Sequence, residues 1–436
     1  MPRPLHQLVP ALAIAAALAF PAVAVAEQPA DRDARIAALE RQVQLLTDEL
    51  AKLRTETALP EEKPLESANG LGPAASKIYA RDRGVSIGGY GELVYTNPLA
   101  DQGTTVARAD AVRLITYLGY KFNESIVFNS EIEFEHALTG TTTQSAGSGE
   151  VAVEFAALDF NWKPELNFRA GLVLMPVGFI NEIHEPPYFY GVLRPETETR
   201  ILPSTWRELG AGVFGNVGET FEYRAYVTTG FNARGFGSSG FRDGRQRGNR
   251  AIAEDAAVVF RGDWSPDLLP GLELGGSIYY GGVDQEQAGL PDSNLLIGEA
   301  HAQYRVGGFH TRALIAYTDL TNAGALSTAL AKPANGGIAS NMLGGYVEAG
   351  YDVWPLLFGE DTERALEPYV RVEWIDTQRN VPSAFVANEN QDYLVVSSGL
   401  SYFPHPNVVV KAEYRKEQSD VGERIDQFAL GVGFAY

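Results

Sequence analysis

The chain has 436 residues, of which 45% are hydrophobic and 21% charged, and it contains no cysteine. Lys and Arg number 35 against 55 Asp and Glu, a net charge of -20, which argues against a nucleic-acid partner. No run of about 18 apolar residues follows residue 26, so a helical membrane protein is excluded, and the missing thiols suit an oxidising compartment.

Arg3 and His6 precede an apolar stretch from Leu8 to Phe20, and Ala24-Val25-Ala26 places small residues before Glu27. This pattern reads as a secretory signal peptide over residues 1–26, and the absence of Cys after it excludes a lipoprotein. Ile36, Leu39, Val43, Leu46, Leu50 and Leu53 then follow the 3,4,3,4,3 spacing of a heptad seam. The seam predicts a helix over 27–57, roughly 30 Å long and marginal alone in water, so it implies self-association. Pro60, Pro64, Gly70, Gly72 and Pro73 make residues 58–84 read as a linker.

From Val85 onward, turn residues recur at Asn123-Glu124, Lys163-Pro164-Glu165, Asn216 to Glu219, Ser265 to Gly271, Gly307-Gly308, Pro355 to Glu363 and Phe403 to Asn407. Between them fall longer polar or glycine-rich stretches near 96–107, 136–149, 176–207, 229–251, 281–294, 321–340, 377–391 and 417–424. Short turns and long loops in strict alternation separate sixteen strands. This is the rhythm of an all-β transmembrane protein, a 16-stranded antiparallel barrel over residues 85–436 with both ends on the periplasmic side.

The strand faces agree. Asn129, Glu131, Glu133 and Glu135 alternate with apolar residues in the third strand, Glu299, His301, Gln303 and Arg305 in the tenth, Arg371 and Glu373 in the thirteenth, and Lys411, Glu413 and Arg415 in the fifteenth. Lys or Arg on a lipid face near the midplane costs about 2–4 kcal/mol, so these rows face inward. Rows without evident partners imply a water-filled lumen.

The third long loop, Pro176 to Arg207, carries five prolines, Phe179, Tyr188, Phe189, Tyr190 and Trp206, and the charges Glu182, His184, Glu185, Arg194, Glu196, Glu198, Arg200 and Arg207. It is too apolar and too stiff to extend into water, which predicts that it folds into the lumen. Arg194, Arg200, Arg207, Glu182 and Glu185, with Arg113 and Arg169 on inward strand faces, are then the candidates for a constriction. One His beside two loop carboxylates is too weak a pattern for a metal site, and neither metal nor cofactor is expected. The fourth loop concentrates Arg234, Arg242, Arg245, Arg247 and Arg250 among Gly and Ser, an anion-attracting mouth by composition. Phosphates of lipopolysaccharide or a subunit contact would use the same residues.

The final strand presents Phe428, Leu430, Val432, Phe434 and Tyr436 at every second position and ends there. In a closed barrel it pairs with the first strand and meets lipid, and such an ending resembles the assembly signal read by the barrel-assembly machinery of Gram-negative bacteria.

Ser86-Ile-Gly-Gly-Tyr-Gly-Glu92, Gly119-Tyr-Lys-Phe-Asn123, Phe128-Asn-Ser-Glu-Ile-Glu-Phe-Glu-His136 and Arg169-Ala-Gly-Leu172 with Pro176-Val-Gly178 resemble segments of the phosphate-selective porin O and P family. The resemblance covers roughly residues 80–436. It implies a trimeric sixteen-stranded outer-membrane porin with its third loop folded inward, a periplasmic N-terminal coil, and passive diffusion of small anions such as phosphate or carboxylates. The chain departs from the family in lysine: the barrel has only Lys121, Lys163, Lys332, Lys411 and Lys416. An anion site would therefore be built from Arg, with Arg113, Arg169, Arg224, Arg305 and Arg371 on inward faces. His136, His184, His301, His310 and His405 belong to no local Ser or Asp signature, so no enzyme is expected. An adhesin or envelope scaffold with a closed lumen and a cation-selective general porin are the competing readings.

Replacing Val43 and Leu46 of the seam with Asp is expected to weaken the oligomer while the barrel stays folded. Chemical cross-linking checks this, and a ladder identical to that of the unaltered protein would assign the helix another role.

Overall fold

The computed structural model describes residues 41–45, 47, 65–99, 105–138, 149–359, 363–421 and 424–436. The chain divides into two units, Met1–Pro64 and Leu65–Tyr436. In the first, residues 41–45 and 47 are helical and exposed, and Thr47 Oγ1 donates to the Val43 carbonyl at 2.7 Å. Val43 is 61% exposed. The signal peptide and the seam positions Ile36, Leu39, Leu46, Leu50 and Leu53 lie outside the described residues.

The second unit is one closed barrel of sixteen strands in chain order, each antiparallel to its neighbours. Its first half comprises β1 (Gly84–Pro98), β2 (Arg108–Asn123), β3 (Ile126–Glu135), β4 (Val151–Lys163), β5 (Leu166–Leu174), β6 (Arg207–Val217), β7 (Phe221–Thr229) and β8 (Ala256–Trp264). Its second half comprises β9 (Leu272–Gly282), β10 (Asn294–Val306), β11 (Phe309–Leu320), β12 (Asn341–Tyr351), β13 (Ala365–Asn380), β14 (Asp392–His405), β15 (Val408–Gln418) and β16 (Gln427–Ala435). Every connection falls where the turn residues placed it. The fourth loop reaches four residues further, to 255, and the seventh starts later, at 381.

Closure rests on β16. It pairs with β1 from Tyr90↔Ala435 to Pro98↔Gln427, and beyond the strand the Tyr436 and Gly89 backbones exchange hydrogen bonds of 2.9 and 3.0 Å. Leu430, Val432 and Tyr436 point outward and are exposed, while Ala429, Gly431, Gly433 and Ala435 are buried. The same alternation runs around the wall: Leu114 and Leu118 of β2, Val258 and Phe260 of β8, and Val370 and Val372 of β13 face out, whereas Ile115 and Tyr117, Ala257 and Val259, and Arg371 and Glu373 face in.

Part of the expected linker is not a linker. Residues 58–64 lie outside the described set, but residues 68–79 pack against the inner wall of the barrel, with a 3₁₀ turn at Ala75–Ile78 whose Ala75, Ser76 and Ile78 are buried, while residues 80–83 are exposed. Small residues on the wall make room for the segment: a Cβ at Gly88 would stand 2.6 Å from the Ala74 carbonyl, and one at Gly119 would stand 2.8 Å from Ile78 Cγ1. Asn129 of β3 donates to the Ala75 carbonyl at 2.8 Å, and Tyr79 donates to Asp159 of β4 at 2.5 Å. Glycine and proline content signalled a chain without regular structure, but it could not show that the barrel would supply partners for that chain.

Deleting Phe434 to Tyr436 removes the end of the β1–β16 ladder and the backbone exchange at Gly89. The expected product is a protease-sensitive species that migrates identically heated and unheated. Normal heat-modifiable migration of the truncated chain would show that closure does not depend on these residues.

Candidate functional site

The loop between β5 and β6, residues 175–206, enters the lumen as its proline and aromatic content predicted, and nearly all of it is buried. A 3₁₀ turn at Pro186–Tyr188 and a π-helical turn at Thr197–Ile201 give it local shape. Neither turn satisfies its own polar backbone in full, so charged side chains of the wall do so.

On β15, Glu413 accepts from the Val192 and Leu193 amides at 2.6 and 2.9 Å, while Lys411 donates to the Phe189 and Gly191 carbonyls at 2.7 and 2.8 Å. On β13, Glu373 accepts from Thr197 and Glu196 at 2.6 and 3.0 Å, and Arg371 donates to the Leu193 carbonyl at 2.9 Å. Tyr346 of β12 donates to Glu198, Arg312 of β11 to the Tyr188 carbonyl, and Arg261 of β8 to the Gly178 carbonyl. Gly191 adopts φ +81°, and a Cβ there would meet Glu413 Oε2 at 2.8 Å, so glycine serves both the conformation and the approach.

The inward rows were read correctly as inward but wrongly as bathed in water. Glu373, Arg371, Glu413 and Lys411 are each at most 4% exposed, committed to the loop rather than to solute. Sequence alone carries no sign of this, because the partners are backbone groups some 180 to 220 residues away.

The expected constriction cluster divides. Arg169 binds Asp159 through Nε at 2.7 Å and Nη2 at 2.8 Å, and also donates to the Asn69 carbonyl of the N-terminal segment. Glu182 lies between Arg224 and Arg261 at 3.3 and 3.6 Å. Glu185 accepts from the Ala74 amide at 3.0 Å, joining loop and N-terminal segment, and burial raises its pKa to about 7. Arg200 is neutralised by Glu196; against the upward pull of burial, Arg415 and Arg200 hold that carboxyl near 2. Arg207 donates to Glu154 at 2.8 Å.

Arg194 and Arg113 differ from these. Among the surrounding charges Arg113 acts most strongly on Arg194, and burial followed by that like charge lowers the Arg194 pKa. Arg194 Nη2 and Arg113 Nε and Nη1 have no hydrogen-bond partner, although Glu92 stands 3.3 Å from Arg113 Nε.

His184 faces neither Glu182 nor Glu185. It lies against Glu131 of β3 and Glu154 of β4, at 3.4 and 3.2 Å. Burial would lower its pKa, but the two carboxylates raise it to about 9.

The basic fourth loop is largely a clamp. Arg242 donates to the Ser204 carbonyl at 2.6 Å, and Arg245 to the Ser204 carbonyl and the Thr205 hydroxyl at 2.5 and 3.0 Å, fastening this loop over the end of the third. Burial, then neighbouring arginines, lower Arg242 to about 10 and Arg245 to about 8. Arg234 bonds Gln287 at 2.6 Å, and Arg247 lies 3.7 Å from Glu150, leaving Arg250 exposed. Of the five arginines expected to form an anion-attracting mouth, Arg242 and Arg245 are held by oxygens of the third loop.

A cavity of about 1180 Å³ lies at the long-loop end beside Asp376, Asp392, Glu417 and Arg424, and none of its lining residues belongs to the third loop. Two smaller cavities touch that loop: one of about 370 Å³ at the short-turn end beside Tyr188, Tyr190, Arg305 and His310, and one of about 250 Å³ between Phe179, Glu182 and Tyr188 and the wall residues Arg224, Arg261 and Asp263.

A closed sixteen-stranded barrel with a loop folded into its lumen defines a porin-type fold. The comparisons agree: the barrel superimposes on OmpF of Salmonella typhi, solved with daunomycin, with a TM-score of 0.54 and 13% identity over 81% of this chain and 98% of that one. The outer-membrane channel DcaP of Acinetobacter baumannii gives 0.50 and 13% over 81% and 97%, and the anion-selective porin of Comamonas acidovorans 0.50 and 10% over 81% and 99%. At such identities the likeness shows the fold alone. The chain is also 38% identical over 376 residues to an uncharacterised protein of Aquifex aeolicus (strain VF5), covering 84% of this chain and 83% of that one, and it belongs to the same family as that protein. No protein-family model matches the chain.

Glu413→Ala strands two buried amides and removes a partner of Arg371. A loss on the order of 3 kcal/mol or more is expected, measured as a lower temperature for loss of heat-modifiable migration, together with larger and noisier single-channel currents. Unchanged currents would mean that these hydrogen bonds do not hold the loop in place.

Proposed function

We propose that the protein is an outer-membrane porin, a passive diffusion channel for small hydrophilic anions such as phosphate or carboxylates, and not an enzyme. The observation that carries the anion preference is the Arg113 and Arg194 pair. One side chain comes from the wall and one from the inward loop: Arg194 Nη2 has no hydrogen-bond partner, and Arg113, whose Nε lies 3.3 Å from Glu92, has none at Nη1, while Arg169, Arg200 and Arg207 are each hydrogen-bonded to a carboxylate. A guanidinium pair of this kind presents a planar donor set to a passing oxyanion. Screening at about 0.15 M salt confines each charge to roughly 8 Å, so this local potential outweighs the net charge of the chain, -21 once Arg3 leaves with the signal peptide (34 basic less 55 acidic).

Self-association rests on the heptad seam, whose a positions suit dimers as well, and the trimer and the periplasmic placement of the N-terminal helix rest on the resemblance to trimeric porins. Lipid and lipopolysaccharide would then surround the barrel, and the barrel-assembly machinery would read its last strand. Phosphate specificity rests on the motif resemblance alone.

A second reading has its own support. Around the larger cavity Asp376, Glu389, Asp392, Glu417, Asp420 and Asp426 outnumber Lys416 and Arg424, which would favour cations.

The reversal potential in a planar bilayer across a potassium chloride gradient decides between them. Anion selectivity is expected, shifting toward cations in Arg113→Ala and Arg194→Ala but little in Arg200→Ala, whose charge Glu196 already balances. A cation-selective unaltered channel would instead assign the pore to the acidic cavity, and no conductance at all would favour an adhesin or scaffold.

A further inference from the structure

We propose that Glu131, Glu154 and His184 form a binding site for one divalent transition-metal ion, of the Zn2+ or Mn2+ kind, that pins the inward loop to the β3–β4 wall. His184 Nε2 stands 3.2 Å from Glu154 Oε2 and 3.4 Å from Glu131 Oε1, and the donor atoms all lie within 4.8 Å of one another. A charge-assisted hydrogen bond would draw such atoms to about 2.8 Å. Donors bonded at about 2.1 Å to a shared tetrahedral ion instead sit roughly 3.4 Å apart, which is the spacing present.

The orientation of the imidazole points the same way. His184 Nδ1 lies 3.2 Å from the Asn181 carbonyl. A proton donated there fixes the ring so that Nε2 faces the two carboxylates, and an ion that displaces the Nε2 proton meets the arrangement of a histidine ligand held by a backbone acceptor. Tyr90 stands edge-on to the ring at 5.8 Å and 80° and holds its plane.

The carboxylates supply an independent observation. Both residues are 0% exposed, Glu131 Oε2 has no hydrogen-bond partner, and Glu154 Oε2 has only the 3.2 Å ion-pair contact with His184 Nε2. Orphaned buried oxygens of this kind carry a desolvation penalty that a cation relieves. Arg207 occupies the other oxygen of Glu154 at 2.8 Å and so selects which one faces the histidine.

A second cluster of similar composition, Asp263, Glu273 and His301, makes the contrast. Arg224 and Arg261 already bind Asp263, and the two ring nitrogens of His301 lie 2.8 Å from Glu299 and 3.0 Å from Asp263, which leaves no donor waiting for an ion.

One imidazole nitrogen with carboxylate oxygens suits a borderline divalent ion, whereas Ca2+ prefers six or more oxygens. The ion would join three chain segments that the hydrogen bonds of β10–β15 do not reach. The inference stands whichever ions the pore passes.

The test uses the purified full-length barrel, stripped with a chelator, incubated with Zn2+, Mn2+ or Ca2+, desalted and assayed by atomic emission. Expected are one Zn2+ or Mn2+ and no Ca2+ per chain, and a higher temperature for loss of heat-modifiable migration. Glu131→Gln and His184→Gln should lose both effects while His301→Gln keeps them. Should a variant fail to reach the heat-modifiable form, Co2+ on the unaltered chain gives the second measurement: a visible absorption band of nitrogen and oxygen ligation, displaced by Zn2+. Absence of retained metal and of that band, or equal retention in Glu131→Gln and His184→Gln, overturns the proposal and leaves the triad as a protonated-histidine ion pair.

Discussion

A polypeptide loop packed against the inner wall of a barrel buries its amides and carbonyls there, and each must find a partner. Here the partners are acidic and basic side chains of the wall. Glu373 and Glu413 accept from consecutive amides, and Lys411 and Arg371 donate to neighbouring carbonyls. Charged groups suit this task because hydrogen bonds to them are about twice as strong as neutral ones. The wall side chains satisfy each other across strands as well, as Arg371 does with Glu348 and Glu413 at 3.5 and 3.7 Å, so charge balance and loop attachment are one network.

The lumen is thereby divided by position. β8, β11, β13 and β15 hold the loop backbone, β7, β8, β12 and β15 meet its carboxylates Glu182, Glu198 and Glu196, and β3 and β4 meet His184. β1, β2, β3 and β5 receive the segment 68–79. Among the described residues, Arg194 keeps an N–H group without a hydrogen-bond partner, and so does Arg113 beside Glu92, whereas a guanidinium with both edges bound to carboxylate offers a solute little.

The barrel itself was legible in the sequence because period-two alternation and turn chemistry are local signals. Ile115 and Tyr117 against Leu114 and Leu118, or Gly307-Gly308 between β10 and β11, need no knowledge of distant chain. The inward course of the third loop was legible from its prolines and aromatics. The partners were not. His184 stands two residues from Glu182 and beside Glu185 in the chain, yet it meets Glu131 and Glu154, because the register of β3 on β4 sets those carboxylates near one another in space. Arg242 and Arg245 looked like an open basic patch because their acceptors are carbonyls of Ser204 and Thr205, which leave no trace in a charge count.

The segment 68–79 touches chiefly the early strands: Gly88 of β1, Gly119 of β2, Asn129 of β3, Asp159 of β4 and Arg169 of β5. Contacts so near in sequence form at small loop-closure entropy, whereas the β1–β16 ladder joins residues separated by nearly the whole barrel and carries the largest such cost. The order of events during biogenesis follows. The segment can settle on a nascent, still open sheet, and the seam then shuts around it, so the interior is furnished before the wall is complete and no later threading step is required.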